Sequence, residues 1–236
     1  MRATVCIPTY NERENVERMV RALHALDVDV LVIDDNSPDG TGEIADRLAA
    51  ELDWVDVLHR ERKEGLGPAY LAGFRRALEG DAELVLEMDC DFSHRPQDAR
   101  RLIEAASAAD LVLGSRYVPG GGVGNWGLGR RIISRGGSLY AQLLLGVPVR
   151  DLTGGFKCYR REVLERIDLD AIDSRGYAFQ IETTYRALRA GFRVIEIPIS
   201  FVDREAGGSK MSRSIVLEAV WKVPALRLAA LRGKLG

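Results

Sequence analysis

Short apolar runs alternate with longer amphipathic stretches through the first half of the chain. Residues 3–8 precede a helical pattern from Asn11, residues 30–33 one from Thr41, and residues 55–58 one from Pro68. Residues 84–88, a helical pattern from Arg95 and residues 111–113 complete the series. Apolar runs connected by amphipathic stretches predict parallel strands buried on both faces by the helices that join them. Asn11 with Glu14 three residues later has the form of a capping box, which predicts helix entry directly after the first strand. A loop carrying Gly120, Gly121, Gly122, Gly124, Gly127 and Gly129 then leads into an Arg-rich helix. Beyond it the pattern gives a short strand, a helix, a strand over 194–201 and an apolar region over 215–231. There Glu218 and Lys222 stand at i,i+4, and Pro224 predicts the end or a kink of one helix and the start of another. The expectation is an α/β fold: a mostly parallel sheet with flanking helices, followed by C-terminal amphipathic helices.

Composition narrows the class. With 236 residues, 46% of them hydrophobic, the chain can bury a core without disulfide or metal staples, and disordered and fibrous classes are excluded. Three widely spaced cysteines, Cys6, Cys90 and Cys158, lack metal-ligand spacing and fit a reducing cytoplasm. No signal-peptide pattern follows Met1, and the longest uncharged run, residues 136–149, is too short to span a bilayer. A soluble or peripheral protein is expected, with no nucleic-acid partner. The formal charge of -2 hides segregation: residues 1–110 carry net -11, residues 111–150 carry five arginines and no carboxylate, and residues 204–236 carry net +5. A charge run is most often a solvated face, but two basic blocks beside an acidic half suggest a site that handles anions.

Ligands of such sheets bind outside the carboxyl ends of the strands, and polar residues gather there. Asp89 and Asp91, two apart at a predicted strand end, should point the same way, a geometry suited to Mg²⁺ or Mn²⁺ shared with diphosphate oxygens. Glu12, Asp34 and Asp35 at neighbouring strand ends extend this into an acidic crevice able to hold a nucleotide sugar. There is no Walker A motif, and Gly65-Leu66-Gly67 lacks the third glycine of a dinucleotide fingerprint. Arg116, Arg130, Arg131, Arg135, Arg204 and Lys210 fall near the same face and predict a second anion site, with Ser134 one helical turn beyond Arg130.

The ordered segments Pro8-Thr9-Tyr10-Asn11-Glu12, Asp34-Asp35-Asn36-Ser37-Pro38-Asp39-Gly40, Met88-Asp89-Cys90-Asp91-Phe92-Ser93-His94, Gly114-Ser115-Arg116-Tyr117 and Asp203-Arg204 with Ser209-Lys210 resemble family 2 glycosyltransferases of the GT-A fold. Arg131-Ile132-Ile133-Ser134-Arg135-Gly136, Asp151-Leu152-Thr153-Gly154 and Pro198-Ile199-Ser200-Phe201-Val202 bring the resemblance closer to the dolichol/polyprenol-phosphate mannose synthases. The resemblance implies a GT-A domain over 1–210, with a nucleotide-sugar half (1–115) and an acceptor half (116–210), and interface helices over 211–236. It implies that Pro8, Tyr10, Glu12, Ile33 and Asp35 hold the guanosine part of GDP-mannose. Asp89, Cys90 and Asp91 match the donor and metal segment, and Arg116, Arg204 and Lys210 match donor- and acceptor-phosphate positions. Arg130 and Ser134 match the acceptor-phosphate helix. Asp89, Asp91 and Arg116 are the expected catalytic residues. Cys90 stands where relatives usually have Ala, and Ser93 stands where some relatives carry a Gln metal ligand.

The implied reaction transfers mannose from GDP-mannose to a polyprenyl or dolichyl monophosphate with inversion, giving a β-linked mannosyl phosphate that serves as donor for later mannosylation. A phosphate monoester with a second pKa of about 6 is already an anionic nucleophile at neutral pH, so the acceptor side needs cations rather than a general base. Asp151 and Glu182, the nearby carboxylates, are expected to organise the arginines and the acceptor loop. The lipid acceptor implies peripheral attachment to the cytoplasmic face of a membrane, through the 215–235 region or a membrane-anchored partner subunit. Alternatives are a glucosyltransferase using UDP-glucose and an aspartate-based phosphohydrolase, whose signature Asp89-Cys90-Asp91-Phe92-Ser93 superficially resembles but at the wrong strand.

Overall fold

In the computed structural model, which describes residues 1–124, 126–202, 213–233 and 235, with backbone alone at 213–217, the apolar runs build one seven-stranded sheet. Its strands are β1 (Ala3–Thr9), β2 (Asp29–Asp34), β3 (Val55–His59), β4 (Leu84–Glu87), β5 (Leu111–Ser115), β7 (Lys157–Arg160) and β8 (Val194–Pro198). The spatial order is β3-β2-β1-β4-β7-β5-β8. β7 runs antiparallel to β4 and β5, and the other pairings are parallel. A second sheet pairs β6 (Gly122–Val123) with β9 (Ser200–Phe201).

Each face of the main sheet has its own core. On one, α1 (Val16–Leu23), α2 (Thr41–Glu51) and α4 (Pro96–Ala105) contribute Met19, Leu48 and Leu102. On the other, α3 (Leu66–Glu79), α5 (Leu128–Leu145), α6 (Arg161–Arg166), α7 (Gly176–Arg189) and α8 (Arg213–Leu231) contribute Phe74, Leu145, Val163, Phe179 and Leu226. Gly67 makes close packing possible there. A Cβ at this position would lie 2.5 Å from the Ser174 carbonyl oxygen, so only glycine lets α3 approach the segment before α7.

Four local expectations are corrected. The first helix begins at Val16 rather than Asn11, and Asn11, at φ +56°, donates its N–H to Ser37 Oγ at 3.1 Å instead of capping a helix. The intervening turn presents Glu12, whose Oε2 accepts from Asn15 Nδ2 at 2.9 Å. The 194–201 run is two strands, because at Ile199 the chain leaves the main sheet, donating its N–H to Ser115 O, and then joins β6. The terminal apolar region is one helix running through Pro224. Proline cannot bond to the carbonyl four residues back, which is that of Val220. The Tyr140 hydroxyl donates to that carbonyl at 2.9 Å and takes the place of the missing N–H. Finally, Glu218 and Lys222 do not pair with each other: Glu218 Oε1 accepts the Arg175 N–H at 2.8 Å, and Lys222 pairs with Asp173.

Candidate active site

A cleft of about 670 Å³ opens at the carboxyl ends of β1, β4 and β5. Pro8, Tyr10, Glu12, Asp35, Lys63 and Gly65 form one end. Asp35 is buried against Arg60, whose Nη1 lies 2.5 Å from its Oδ1; burial raises the Asp35 pKa and Arg60 opposes the rise. Lys63 Nζ sits 4.1 Å from the centre of the Tyr10 ring, the beginning of an aromatic and cationic wall. Two sequence expectations fall outside this end. The Ile33 side chain is fully buried under α3, where a Cβ on Gly73 would meet its Cδ1 at 2.4 Å, and it does not line the cleft. Asp34 is spent on its own turn, accepting from the Ser37 N–H and from the hydroxyls of Ser37 and Thr9. The acidic crevice therefore consists of Glu12, Asp35, Asp89 and Asp91.

Asp89, Cys90, Asp91, Ser93 and His94 line the middle of the cleft. β4 ends at Glu87, so strand pleating does not orient the two aspartates. A tight loop does so instead. Phe92 adopts φ +60°, Asp91 Oδ1 accepts the Ser93 N–H at 3.1 Å, and the Asp89 N–H donates to His94 Nδ1 at 3.1 Å. Burial lowers the His94 pKa to about 4, so the ring is neutral at physiological pH and keeps Nδ1 as an acceptor. It stacks on Phe156 at 4.6 Å. The Ser93 hydroxyl is buried in the cleft wall without a hydrogen-bond partner among the described residues. Among those residues no cluster of three His, Cys, Asp or Glu side chains could hold a metal by itself. Two carboxylates and an orphaned hydroxyl instead fit a divalent ion that completes its shell with ligand oxygens.

Arg116, Trp126, Arg130, Tyr177 and Phe201 form the other end. Asp151, fully buried, binds Arg116 through its backbone N–H (2.8 Å), Nε (2.7 Å) and Nη2 (2.6 Å), and Thr153 Oγ1 accepts from Nη2 at 3.0 Å. Burial alone would lower the Arg116 pKa, and Asp151 more than offsets it. The guanidinium is thus fixed in place, within 5.6 Å of the ring centres of Tyr117, Trp126 and Phe201. Arg130 lies 4.1 Å over the Trp126 ring. Ser134 accepts from the Tyr117 hydroxyl at 2.7 Å rather than lining the cleft. Arg131 and Arg135 are also outside it; Arg131 donates to the Val123 carbonyl. Arg204 and Lys210 lie outside the described residues. Glu182 is spent on Ser174 and Arg186, and Asp151 on Arg116, so both organise neighbours.

Sequence reasoning missed Arg60, Lys63, Trp126, Tyr177 and Gln180. None sits in the Asp-rich segments, and α7, which carries Tyr177 and Gln180, is tied to β7 by hydrogen bonds from Lys157 and Tyr159. Glu218 of α8 also lines the cleft.

Outside the cleft, α5 and α8 carry all the exposed large apolar side chains among the described residues except Met1. On α5, Leu128, Ile132, Leu139 and Leu143 form one stripe, opposite the buried Ser138, Ala141 and Leu145. On α8, Val220, Trp221, Leu228 and Leu231 lie opposite Val223, Leu226 and Ala230. Trp221 is 78% exposed and Leu143 73%. No helix among the described residues is long and apolar enough to cross a membrane.

A mostly parallel sheet with a strand-end cleft carrying Asp89 and Asp91 is the architecture of the GT-A glycosyltransferases. The glycosyl transferase family 2 model matches residues 4–168, and the chain belongs to that family. It is therefore a glycosyltransferase, not a phosphohydrolase. It is 53% identical over 226 residues to a polyprenol monophosphomannose synthase of Mycolicibacterium smegmatis, covering 94% of this chain and 85% of the relative. It is 51% identical to an undecaprenyl-phosphate mannosyltransferase of Micrococcus luteus across the whole of both chains. Among solved structures, a glucosyl-3-phosphoglycerate synthase from Mycobacterium tuberculosis bound to Mn²⁺, UDP-glucose and phosphoglyceric acid has a TM-score of 0.67 at 19% identity, covering 94% of this chain and 79% of that one. A mannosyltransferase from Pyrobaculum calidifontis with GDP-Man and Mn²⁺ has a TM-score of 0.58 at 16% identity, covering 98% and 74%. These two likenesses show the fold.

Proposed function

We propose that the protein transfers mannose from GDP-mannose to a polyprenyl monophosphate, with inversion at the anomeric carbon. The names of the two relatives support the substrate class. The observation that carries the reading is the polarity of the cleft: carboxylates occupy its middle, ring-packed guanidinium groups occupy its far end, and the carboxylates near that end are engaged, Asp151 and Glu182 by arginine side chains and Glu218 by the Arg175 N–H. Such an end suits a nucleophile that arrives already ionised and needs orientation rather than deprotonation.

In this reading Pro8, Tyr10, Glu12, Asp35 and Lys63 border the nucleotide. Asp89 and Asp91, with the Ser93 hydroxyl, would hold Mg²⁺ or Mn²⁺, which supplies charge neutralisation for the departing diphosphate. Arg130, laid on Trp126, reaches the acceptor phosphate. Arg116, held by Asp151, gives the wall a fixed positive potential facing it. Arg204 and Lys210 add to the phosphate contacts. Attack from the guanidinium end, opposite the diphosphate, gives the β-linked product.

The exposed stripes of α5 and α8 serve in this reading as an in-plane contact with the bilayer that carries the acceptor. Arg131, Arg135, Arg227 and Arg232 flank them, in a region without carboxylates on the α5 side. The buried thiols of Cys6, Cys90 and Cys158 fit the cytoplasmic face.

Incubation with labelled GDP-mannose or UDP-glucose and a short-chain polyprenyl phosphate tests the reaction. Label should pass to the lipid from GDP-mannose, stop on chelation and return with Mg²⁺ or Mn²⁺, and the product should be the β anomer by NMR. Lipid labelled only from UDP-glucose would replace the mannose assignment.

A further inference from the structure

Gln180 is a buried polar side chain of the cleft wall that the proposed chemistry leaves without a task. It is 2% exposed, it lines the cleft, and among the described residues neither its Oε1 nor its Nε2 has a hydrogen-bond partner. A buried amide with both groups unbonded is costly and calls for an explanation.

The backbone around it is built with unusual care. The Gln180 carbonyl oxygen accepts from Lys157 Nζ at 2.7 Å and from the hydroxyls of Thr184 (3.1 Å) and Thr183 (3.3 Å). Lys157 is fully buried and is held in turn beside Glu87, its partner across β4 and β7, whose Oε1 accepts from the Tyr159 hydroxyl at 2.8 Å. The buried Lys157 thus holds the main chain of α7 at a residue whose own side-chain amide is left bare. Opposite stands Gly155, also in the cleft wall, where a Cβ would come within 3.1 Å of Gln180 Nε2, so the glycine leaves room for the amide there. Gln180 lies one turn beyond Tyr177 on α7, and both line the cleft that also holds Asp89, Asp91, Arg116 and Arg130.

Resting on the reaction proposed above, which puts the transferred sugar between those aspartates and arginines, we propose that Gln180 is a specificity-determining residue that binds a hydroxyl of that sugar. A side-chain amide offers a donor group and an acceptor group side by side, and a sugar hydroxyl can meet both. A phosphate oxygen would leave Oε1 unbonded, and a cation would leave Nε2 unbonded. A rival structural role exists. The amide is close enough to Glu87 to lower its pKa but short of hydrogen-bond geometry, and Glu87 Oε2 is itself unpartnered. If Gln180 merely serves Glu87, its loss should affect stability and not sugar choice.

The experiment compares wild type, Gln180→Ala and the near-isosteric Gln180→Met with the nucleotide sugar that wild type uses and its series of monodeoxy analogues. Binding of free GDP (or of the matching nucleoside diphosphate) and the thermal unfolding midpoint are measured alongside. The expected result is a roughly 10- to 100-fold fall in kcat/KM in both variants with nucleotide affinity unchanged within about twofold. One deoxy analogue should be penalised in wild type by a similar factor and no longer penalised in the variants. Equal deoxy penalties in wild type and variants, or a parallel fall in nucleotide affinity, would overturn the assignment, as would lost stability with unchanged kcat/KM. Should Gln180→Ala fail to fold, Gln180→Met carries the same comparison. Wild type that transfers glucose instead of mannose refutes the mannose reading, and the deoxyglucose series then decides the role of Gln180 independently.

Discussion

From β1 through β4 no large apolar side chain is exposed among the described residues, and the cleft wall carries carboxylates. Along α5 and α8, large apolar side chains stand in solvent, and the end of the cleft that α5 borders carries the guanidinium groups of Arg116 and Arg130 laid against rings. Three of the four crevice carboxylates are held by short local devices, Asn15 for Glu12 and a left-handed Phe92 with a neutral His94 for the aspartate loop, while Asp35 is held by Arg60, 25 residues on. Arg116 instead depends on Asp151, 35 residues away in sequence. The difference follows from the proposed substrates. A nucleotide diphosphate arrives from water and needs a polar, rigid socket, whereas a lipid phosphate arrives from a bilayer and needs an apolar outer face beside a fixed positive charge.

Three changes break or sharpen this contrast. The largest effect is expected from Asp151→Asn, which leaves the buried Arg116 charge unpaired. It should cost about 3 kcal/mol in chemical denaturation and weaken transfer to the lipid acceptor, while GDP affinity stays within about twofold. A variant with unchanged stability would mean that the two ends do not differ in the way described. Next, Leu143→Glu together with Trp221→Glu should lower cosedimentation with vesicles containing anionic lipid about 10-fold or more, while activity on a short, water-soluble polyprenyl phosphate is retained. Binding that persists would move the attachment to a partner subunit. The smallest effect is expected from Tyr140→Phe, which removes the hydroxyl serving Val220. It should cost about 1 kcal/mol of stability and leave kinetics with the soluble acceptor unchanged.

Much of the cleft was legible from residues alone. Asp89, Asp91, Glu12, Asp35, Arg116 and Arg130 were read from strand ends or from the resemblance, and all six line one cavity. Strand ends converge in any open parallel sheet, so position in the pattern already implies proximity. The corrections share a cause. Asn11, the expected Glu218–Lys222 pair and the second helix expected to start at Pro224 were judged from near neighbours in sequence, and in each case a distant group took the side chain, the backbone N–H or the carbonyl; the Ile33 side chain, named from the resemblance, lies under α3. Ser37 bonds the Asn11 backbone, α3 covers Ile33, Asp173 and the Arg175 N–H claim Lys222 and Glu218, and Tyr140 repairs the proline site.

By itself the sequence determined the alternation of strands and helices, the segregation of acidic and basic blocks, and the types of residue at the strand ends. These follow from periodicity and from chemistry local to a few residues. Only the tertiary structure decided which charges remain available to a ligand. Asp34 and Glu182 are consumed, Arg116 is immobilised, and the Gln180 amide and the Ser93 hydroxyl are left bare. A buried polar group is satisfied by whatever the fold brings within 3 Å or so, and that partner is set by packing across the sheet rather than by distance along the chain.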